Sequence, residues 1–157
     1  MRKIIFTLAL VVSFAGVLSA QADGKAIGIR FGGLSGYGGE ISYQQALGSA
    51  NRLELDLGLN GYGFGLNGIY QWVWDLSSLA DGFNWYAGVG AGIGAYDYNN
   101  YKSNRLNVGI LGQIGIEYNF NIPLQLSLDY RPGFYLLNSS SNNFSYDGIC
   151  LGARYRF

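Results

Sequence analysis

The chain has 157 residues, enough for one domain, and only 13% of them are charged, against about 25% in a typical soluble domain. It has no histidine and a single cysteine, which excludes an internal disulfide framework and a cysteine-based metal site. Ten basic residues balance ten acidic ones, so the chain lacks the excess of positive charge that binding to nucleic acid requires.

The first 22 residues predict a secretory signal peptide. Arg2 and Lys3 precede an apolar run over residues 4–18, and Ala-Gln-Ala at 20–22 supplies a cleavage site with small residues. The apolar run is shorter than the ~20 residues that a membrane-spanning helix needs. We therefore expect a mature domain over residues 23–157.

After this leader, apolar and polar residues alternate almost continuously, which is the period of a β-strand. The segment RLELDLGLN at 52–60 is the clearest, since its four leucines alternate with arginine, glutamate, aspartate and glycine. Pro132 implies a bulge or a strand end, because proline cannot donate to a sheet. The alternation predicts eight strands, near residues 25–32, 39–47, 52–60, 65–74, 85–96, 106–118, 124–134 and 145–157.

Eight two-faced strands predict an all-β fold, an eight-stranded antiparallel up-and-down transmembrane β-barrel. Strands of ~10 residues tilted by ~40° reach about 25 Å, the height of the apolar band of an outer-membrane barrel. The alternative is a water-soluble barrel with its apolar face inside. The polar face favours the membrane barrel, because it consists of small residues, amides and opposed charges with almost no lysine.

The aromatic residues also favour a membrane barrel, because membrane barrels carry an aromatic girdle at each interface. When the strands are folded up and down, large aromatic residues fall at two rims. Six are expected at the rim that carries both chain ends and two at the opposite rim: Trp72, Trp74, Trp85, Tyr118, Tyr155 and Phe157, then Phe31 and Phe134.

The polar face carries five arginines and five carboxylates. Because arginine pairs with carboxylates through a two-pronged fork and keeps its charge when buried, we predict an ion-pair network that props the barrel from within and blocks wide water passage. The fifth strand has four inward glycines, which leave a groove for arginines from opposite strands or a narrow channel or pocket. The predicted network comprises Arg30, Glu40, Arg52, Glu54, Asp56, Glu117, Asp129, Arg131, Arg154 and Arg156.

The last segment ends on Phe157, with Tyr155, Leu151 and Ile149 at alternate positions before it. This pattern resembles the C-terminal assembly signal of bacterial outer-membrane barrels. With its leader and eight strands, the chain resembles the small OmpA/OmpX-type barrels. The resemblance implies an outer-membrane location, contact with lipid and lipopolysaccharide, recognition of the last strand by the barrel-assembly machinery, and a monomer.

Some small barrels are enzymes, but the enzymes of this kind use a histidine, so we expect no catalytic residue, and no cofactor or metal. A G-x-G-x-x-G pattern at 63–68 precedes a predicted strand rather than a helix, so barrel glycines explain it better than a dinucleotide site. Two functions remain open. One is a non-enzymatic cell-surface protein that presents Tyr/Asn/Ser-rich loops at 97–105 and 136–147. The other is a narrow, porin-like channel or carrier for ions or small hydrophobic molecules.

Overall fold

The structure, a computed structural model, describes residues 24–32, 38–60, 63–96, 105–135 and 144–157. The predicted signal peptide at 1–22 and most of the two predicted loops lie outside the described residues. In the described ranges, no helix is long and apolar enough to cross a membrane. These ranges contain eight strands: β1 Lys25–Gly32, β2 Gly39–Ala46, β3 Asn51–Asn60, β4 Gly63–Asp75, β5 Phe83–Tyr96, β6 Arg105–Asn119, β7 Leu124–Tyr135 and β8 Phe144–Arg156.

Each strand pairs antiparallel with the next, and β8 returns to pair with β1, so the sheet is a closed barrel. The seam between β1 and β8 runs from Ala26 opposite Arg156 to Gly32 opposite Cys150. Beyond it, the Phe157 amide donates to the Lys25 carbonyl at 3.0 Å. Closure pairs the backbone groups that an open sheet edge would expose. The predicted closed barrel of eight antiparallel strands is confirmed.

The two ends of the barrel differ. We call the end where β1 begins and β8 finishes the terminal end, and the opposite one the loop end. Three turns close the terminal end, at residues 47–50, 76–82 and 120–123. Backbone hydrogen bonds hold the longest turn. The Leu76 N–H donates to the Phe83 carbonyl, and the Asn119 N–H at the end of β6 donates to the Gly82 carbonyl. Gly82 adopts a φ of 85°, a conformation that favours glycine.

A register shift marks the position of Pro132 in β7. Tyr130 pairs with Ile149 and Pro132 with Tyr146, so β8 contributes one extra residue between the two pairs. Proline has no amide hydrogen to donate, and a bulge removes the need for one. The expected irregularity is therefore a bulge, and β7 continues through it to Tyr135.

The two faces of the sheet have opposite chemistry. Outward side chains are apolar and accessible, such as Ile149, which is 66% exposed, and Leu151, which is 62% exposed. Inward side chains are mostly polar and buried, such as Arg154 and Arg30, each 1% exposed. The barrel thus has its polar side chains inside and its apolar side chains outside. A water-soluble protein has the reverse arrangement, and its arginines are mostly exposed.

Neighbouring strands fill the glycine groove of β5. A β-carbon added at Gly88 would lie 2.8 Å from the Ile69 side chain and 3.0 Å from that of Gln71, and one added at Gly92 would lie 3.2 Å from Leu111. Ile69 and Leu111 are buried apolar residues on β4 and β6. The expectation that arginines from opposite strands occupy this groove is therefore wrong at Gly88 and Gly92. Side chains of the flanking strands lean over the glycines instead.

A single tyrosine crosses β6 inside the barrel. Tyr86 on β5 pairs with Gly115 on β6, which pairs with Asp129 on β7. The buried Tyr86 ring lies across the bare backbone of Gly115, and its hydroxyl donates to Asp129 Oδ2 at 3.1 Å. A β-carbon at Gly115 would come within 2.6 Å of the Tyr86 Cζ. Glycine is required here so that the ring reaches its partner.

This packing predicts that an alanine substitution lowers stability at one glycine of β6 and is tolerated at another. Gly115→Ala should destabilise the barrel by about 1–3 kcal/mol, because it overpacks the Tyr86 ring. Gly112→Ala is the matched control, since its nearest neighbour would be Pro132 at an ordinary 3.6 Å. Urea unfolding in detergent micelles measures both variants. Equal stability of the two would contradict the proposed close packing.

Candidate functional site: the charged lumen

Three polar clusters cross the lumen, and the first joins four strands. In this central cluster, Arg30 on β1 contacts Glu40 on β2 at 2.6 Å, Asp56 on β3 at 3.5 Å and Asp129 on β7. Arg131 on β7 reaches across to Glu40 at 2.6 Å and to Asp56 at 2.7 Å. The two arginines therefore share two carboxylates, and their forks tie β1 and β7 to β2 and β3.

The middle cluster is centred on Glu54, which is fully buried. Its Oε2 accepts from Gln44 Nε2 at 2.6 Å and from Arg154 Nη2 at 2.9 Å. Arg154 also donates to the hydroxyls of Ser42 at 2.9 Å and Ser127 at 2.8 Å. Because β8 carries Arg154 and β3 carries Glu54, this ion pair spans the barrel.

The terminal cluster lies nearest the terminal end. Arg52 Nη2 lies 2.6 Å from Glu117 Oε2, and Arg52 Nε donates to Gln71. Glu117 also accepts from Asn84 and from Gln125, both at 3.1 Å. Glu117 is therefore engaged by one cation and two amides.

Amide and aromatic groups connect these clusters. Gln113 accepts from Gln71 at 2.5 Å and donates to Glu54 at 2.9 Å, which links the terminal cluster to the middle one. The Arg52 guanidinium carbon lies 4.8 Å from the centre of the Tyr86 ring, within the range of a cation–π contact. Since Tyr86 also bonds to the central cluster, the network is continuous along the described lumen.

Arg156 is the one predicted member that lies outside the network. Its Nη2 donates to the carbonyls of Phe120 at 2.7 Å and Ile122 at 3.2 Å, in the turn at 120–123. The expectation that Arg156 pairs with a lumen carboxylate is wrong, because Arg156 sits at the barrel mouth, one inward position beyond Arg154. The network therefore has four guanidinium groups against five carboxylates.

The central cluster contains the surplus carboxylate. Three carboxylates, Glu40, Asp56 and Asp129, face two arginines there. Asp56 Oδ1 is buried and has no hydrogen-bond partner among the described residues. A buried carboxylate oxygen without a hydrogen-bond partner lowers the stability of the cluster.

The predicted aromatic residues lie near the strand ends. At the terminal end, Trp74 and Trp85 stack with ring centroids 4.1 Å apart, and Tyr155 lies 6.5 Å from Phe157. Tyr118 packs between two aromatic residues that the sequence interpretation did not include, Phe83 at 4.9 Å and Phe120 at 4.6 Å. The other predicted residues of the two rims, all exposed, are Trp72 at the terminal end and Phe31 and Phe134 at the loop end.

The four residues of the predicted assembly signal lie along β8 and just beyond it. Ile149, Leu151 and Tyr155 point outward and are exposed, and Phe157 is half-buried where the chain pairs with Lys25. They form an apolar stripe on the outer face of the closing strand.

Sequence analysis missed the uncharged members of the network. Their positions on the polar faces of their strands were the available signal, but no pattern in one strand shows which amide meets which charge on another. The missed residues are Ser42, Gln44, Gln71, Asn84, Tyr86, Gln113, Gln125 and Ser127.

Charge compensation is common to the three clusters. Each of their five carboxylates is bound by at least one arginine. Among the residues that the structure describes, no group of three histidine, cysteine or acidic side chains is placed to hold a metal ion. The arrangement supplies rigidity and charge compensation across the lumen.

The fold has a counterpart among solved structures. The crystal structure of Neisserial surface protein A (NspA) matches with a TM-score of 0.55 and 14% sequence identity, over 85% of this chain and 94% of that chain. The likeness shows the fold. The expected resemblance to small eight-stranded outer-membrane barrels is confirmed at this level. No protein-family model and no curated protein sequence matches the chain.

The charge count predicts that two neighbouring carboxylates on β3 differ in importance. Glu54→Gln leaves Arg154 buried without a carboxylate, and breaking such a pair costs about 3–5 kcal/mol. Asp56→Asn should cost less than half as much, because it leaves two arginines facing two carboxylates in the central cluster.

Urea unfolding in micelles at neutral pH compares the two variants. The substitutions are matched, since both replace a fully buried acid on β3 by its amide. A larger loss of stability for Asp56→Asn would show that the charge count does not govern the lumen.

Proposed function

We propose that the chain is a non-enzymatic outer-membrane β-barrel protein, whose sealed barrel anchors it in the bilayer while its loop end faces the cell exterior. One observation carries the proposal: the closed barrel is apolar outside and charged inside. In lipid every backbone polar group needs an internal partner, and a closed barrel provides one. A water-soluble barrel would place its charges on the opposite face.

The aromatic residues support the same orientation in a membrane. Stacked rings such as Trp74 and Trp85 lie at the terminal end, and Phe31 and Phe134 lie at the loop end. Aromatic side chains are favoured at the two boundaries between lipid and water. The apolar band between them is the part of the barrel that would contact lipid and the acyl chains of lipopolysaccharide.

The lumen favours a structural role over a channel. Ion pairs cross it at three levels, and the glycine groove of β5 is covered by Ile69, Gln71 and Leu111. The sequence also contains no histidine, the most common general base of enzymes, which favours a non-enzymatic role. Single-channel steps from the folded chain in planar bilayers would contradict a sealed lumen.

The closing strand fits recognition during assembly. Ile149, Leu151 and Tyr155 present an apolar stripe on the outside of β8, and Phe157 follows them at the terminal end. We infer that this stripe is what the barrel-assembly machinery binds before β8 pairs with β1, and that the folded chain acts as a monomer.

Membrane insertion is tested by one arginine on the outer face. Leu128→Arg should impair insertion into lipid vesicles, because an arginine near the bilayer midplane costs about 2–4 kcal/mol. Leu128 is outward-facing near the middle of β7. Leu79→Arg is the control, since Leu79 is 81% exposed in the terminal-end turn at 76–82. Equal insertion of the two variants, or stable folding without detergent, would refute the membrane proposal.

The surface role is tested by shortening the loops. The sequences at 97–105 and 136–147 are rich in tyrosine, asparagine and serine, residues that suit adaptable contacts. Replacing both segments with short turns should leave vesicle insertion unchanged and abolish any binding of the purified protein to cell surfaces. Undiminished binding by a properly inserted variant would place the contact surface elsewhere.

A further inference from the structure

The terminal end of the lumen opens into a cavity of about 500 Å³, which we call the vestibule. Its deeper lining includes Gln44, Arg52, Glu117 and Gln125, and the turns at 47–50 and 120–123 form part of its mouth. Sites for small molecules in proteins are commonly about 300–1,000 Å³. The vestibule is thus large enough for a small organic molecule. Its lining includes no residue of the central cluster and, of the middle cluster, only Gln44.

Polar groups of the vestibule lining lack partners. In the part of the chain that the structure describes, buried atoms without a hydrogen-bond partner include Gln125 Oε1, Asn119 Oδ1 and Arg156 Nε. Gln125 is 3% exposed, and its amide nitrogen is fixed by Glu117 at 3.1 Å, so its oxygen is left as the free acceptor. A buried polar group without a partner costs about 1–3 kcal/mol, and a ligand that supplied the missing donors would recover part of it.

The charge of the vestibule is positive. Arg156 is held by backbone carbonyls only, and neither it nor Lys25 has a carboxylate within 4.0 Å among the described residues. The one acidic side chain in the lining, Glu117, is already engaged by Arg52, Asn84 and Gln125. An anionic group is therefore the complement of this mouth.

We propose that the vestibule binds a small polyhydroxylated anion. The anionic group would pair with Arg156 near the mouth, and hydroxyl groups would donate to the oxygens of Asn119 and Gln125. A carboxylate and a phosphate ester share this chemistry, because both accept from a guanidinium fork. A neutral sugar lacks the charge, and a simple anion such as acetate lacks the donors.

Titration calorimetry on the full chain folded in detergent micelles tests the site at constant ionic strength. The probes are gluconate, glucose 6-phosphate, glucose and acetate. Gluconate, glucose 6-phosphate or both should bind at least tenfold more tightly than glucose and acetate. The charged sugar that binds more tightly identifies the preferred anionic group as a carboxylate or a phosphate. Absence of binding by both, or binding of glucose as tight as theirs, would overturn the proposal.

Three variants locate the binding. Arg156→Gln should weaken the binding of the charged sugars about tenfold. Arg105→Gln, which makes the same change of charge at the loop-end start of β6, should leave their affinity unchanged. Asn119→Ala should narrow the preference for gluconate over acetate, since it removes an acceptor for hydroxyls. Heat-modifiable gel mobility establishes that each variant is folded.

If Arg156→Gln does not fold, Asn121→Asp replaces it, because Asn121 is an exposed residue of the vestibule lining and a carboxylate there would repel the anion. Affinities that Arg156→Gln or its replacement leaves unchanged would place the ligand outside the vestibule. This outcome is distinct from a failure of the membrane proposal, which is read from vesicle insertion.

Discussion

Compensation of buried guanidinium groups is the interaction on which this barrel depends. Burying one ion costs several kcal/mol, so each inward arginine needs carboxylates placed around it. Arg30 obtains them from β2, β3 and β7, and Arg154 obtains Glu54 from across the lumen. A slip of one residue in any of these strands would turn the charges toward the outer face. The network therefore fixes the register of the same sheet that encloses it.

The sequence predicted the strands well because each strand carries its own two-faced pattern. All eight exist in the predicted order, and most ends differ by only one or two residues, as expected where a strand gives way to a turn. The bulge at Pro132 followed from the chemistry of one residue. Local rules were sufficient for features that depend on a single strand.

Features that depend on several strands were harder to predict. Arg154 and Arg156 share a face of β8, yet one pairs with Glu54 and the other with carbonyls of a turn. The difference arises from depth in the barrel, which the stagger of all eight strands sets. The covering of the β5 glycines was hard to predict for a similar reason. The covering residues Ile69 and Leu111 lie on the flanking strands, and they are apolar residues in an otherwise polar lumen.

The likeness to NspA at 14% identity separates what the fold requires from what this chain adds. A closed eight-stranded barrel requires alternation and closure, and many sequences satisfy both. The number of charges in the lumen, the row of Tyr86, Gly115 and Asp129, and the positive vestibule are properties of particular side chains in this sequence. Because ion pairs cross the middle of the described lumen, a ligand that arrives from water meets the lumen at one of its two ends. If the barrel is sealed as proposed, its functional chemistry therefore belongs at its ends: the loops on one side and the vestibule with Arg156 on the other.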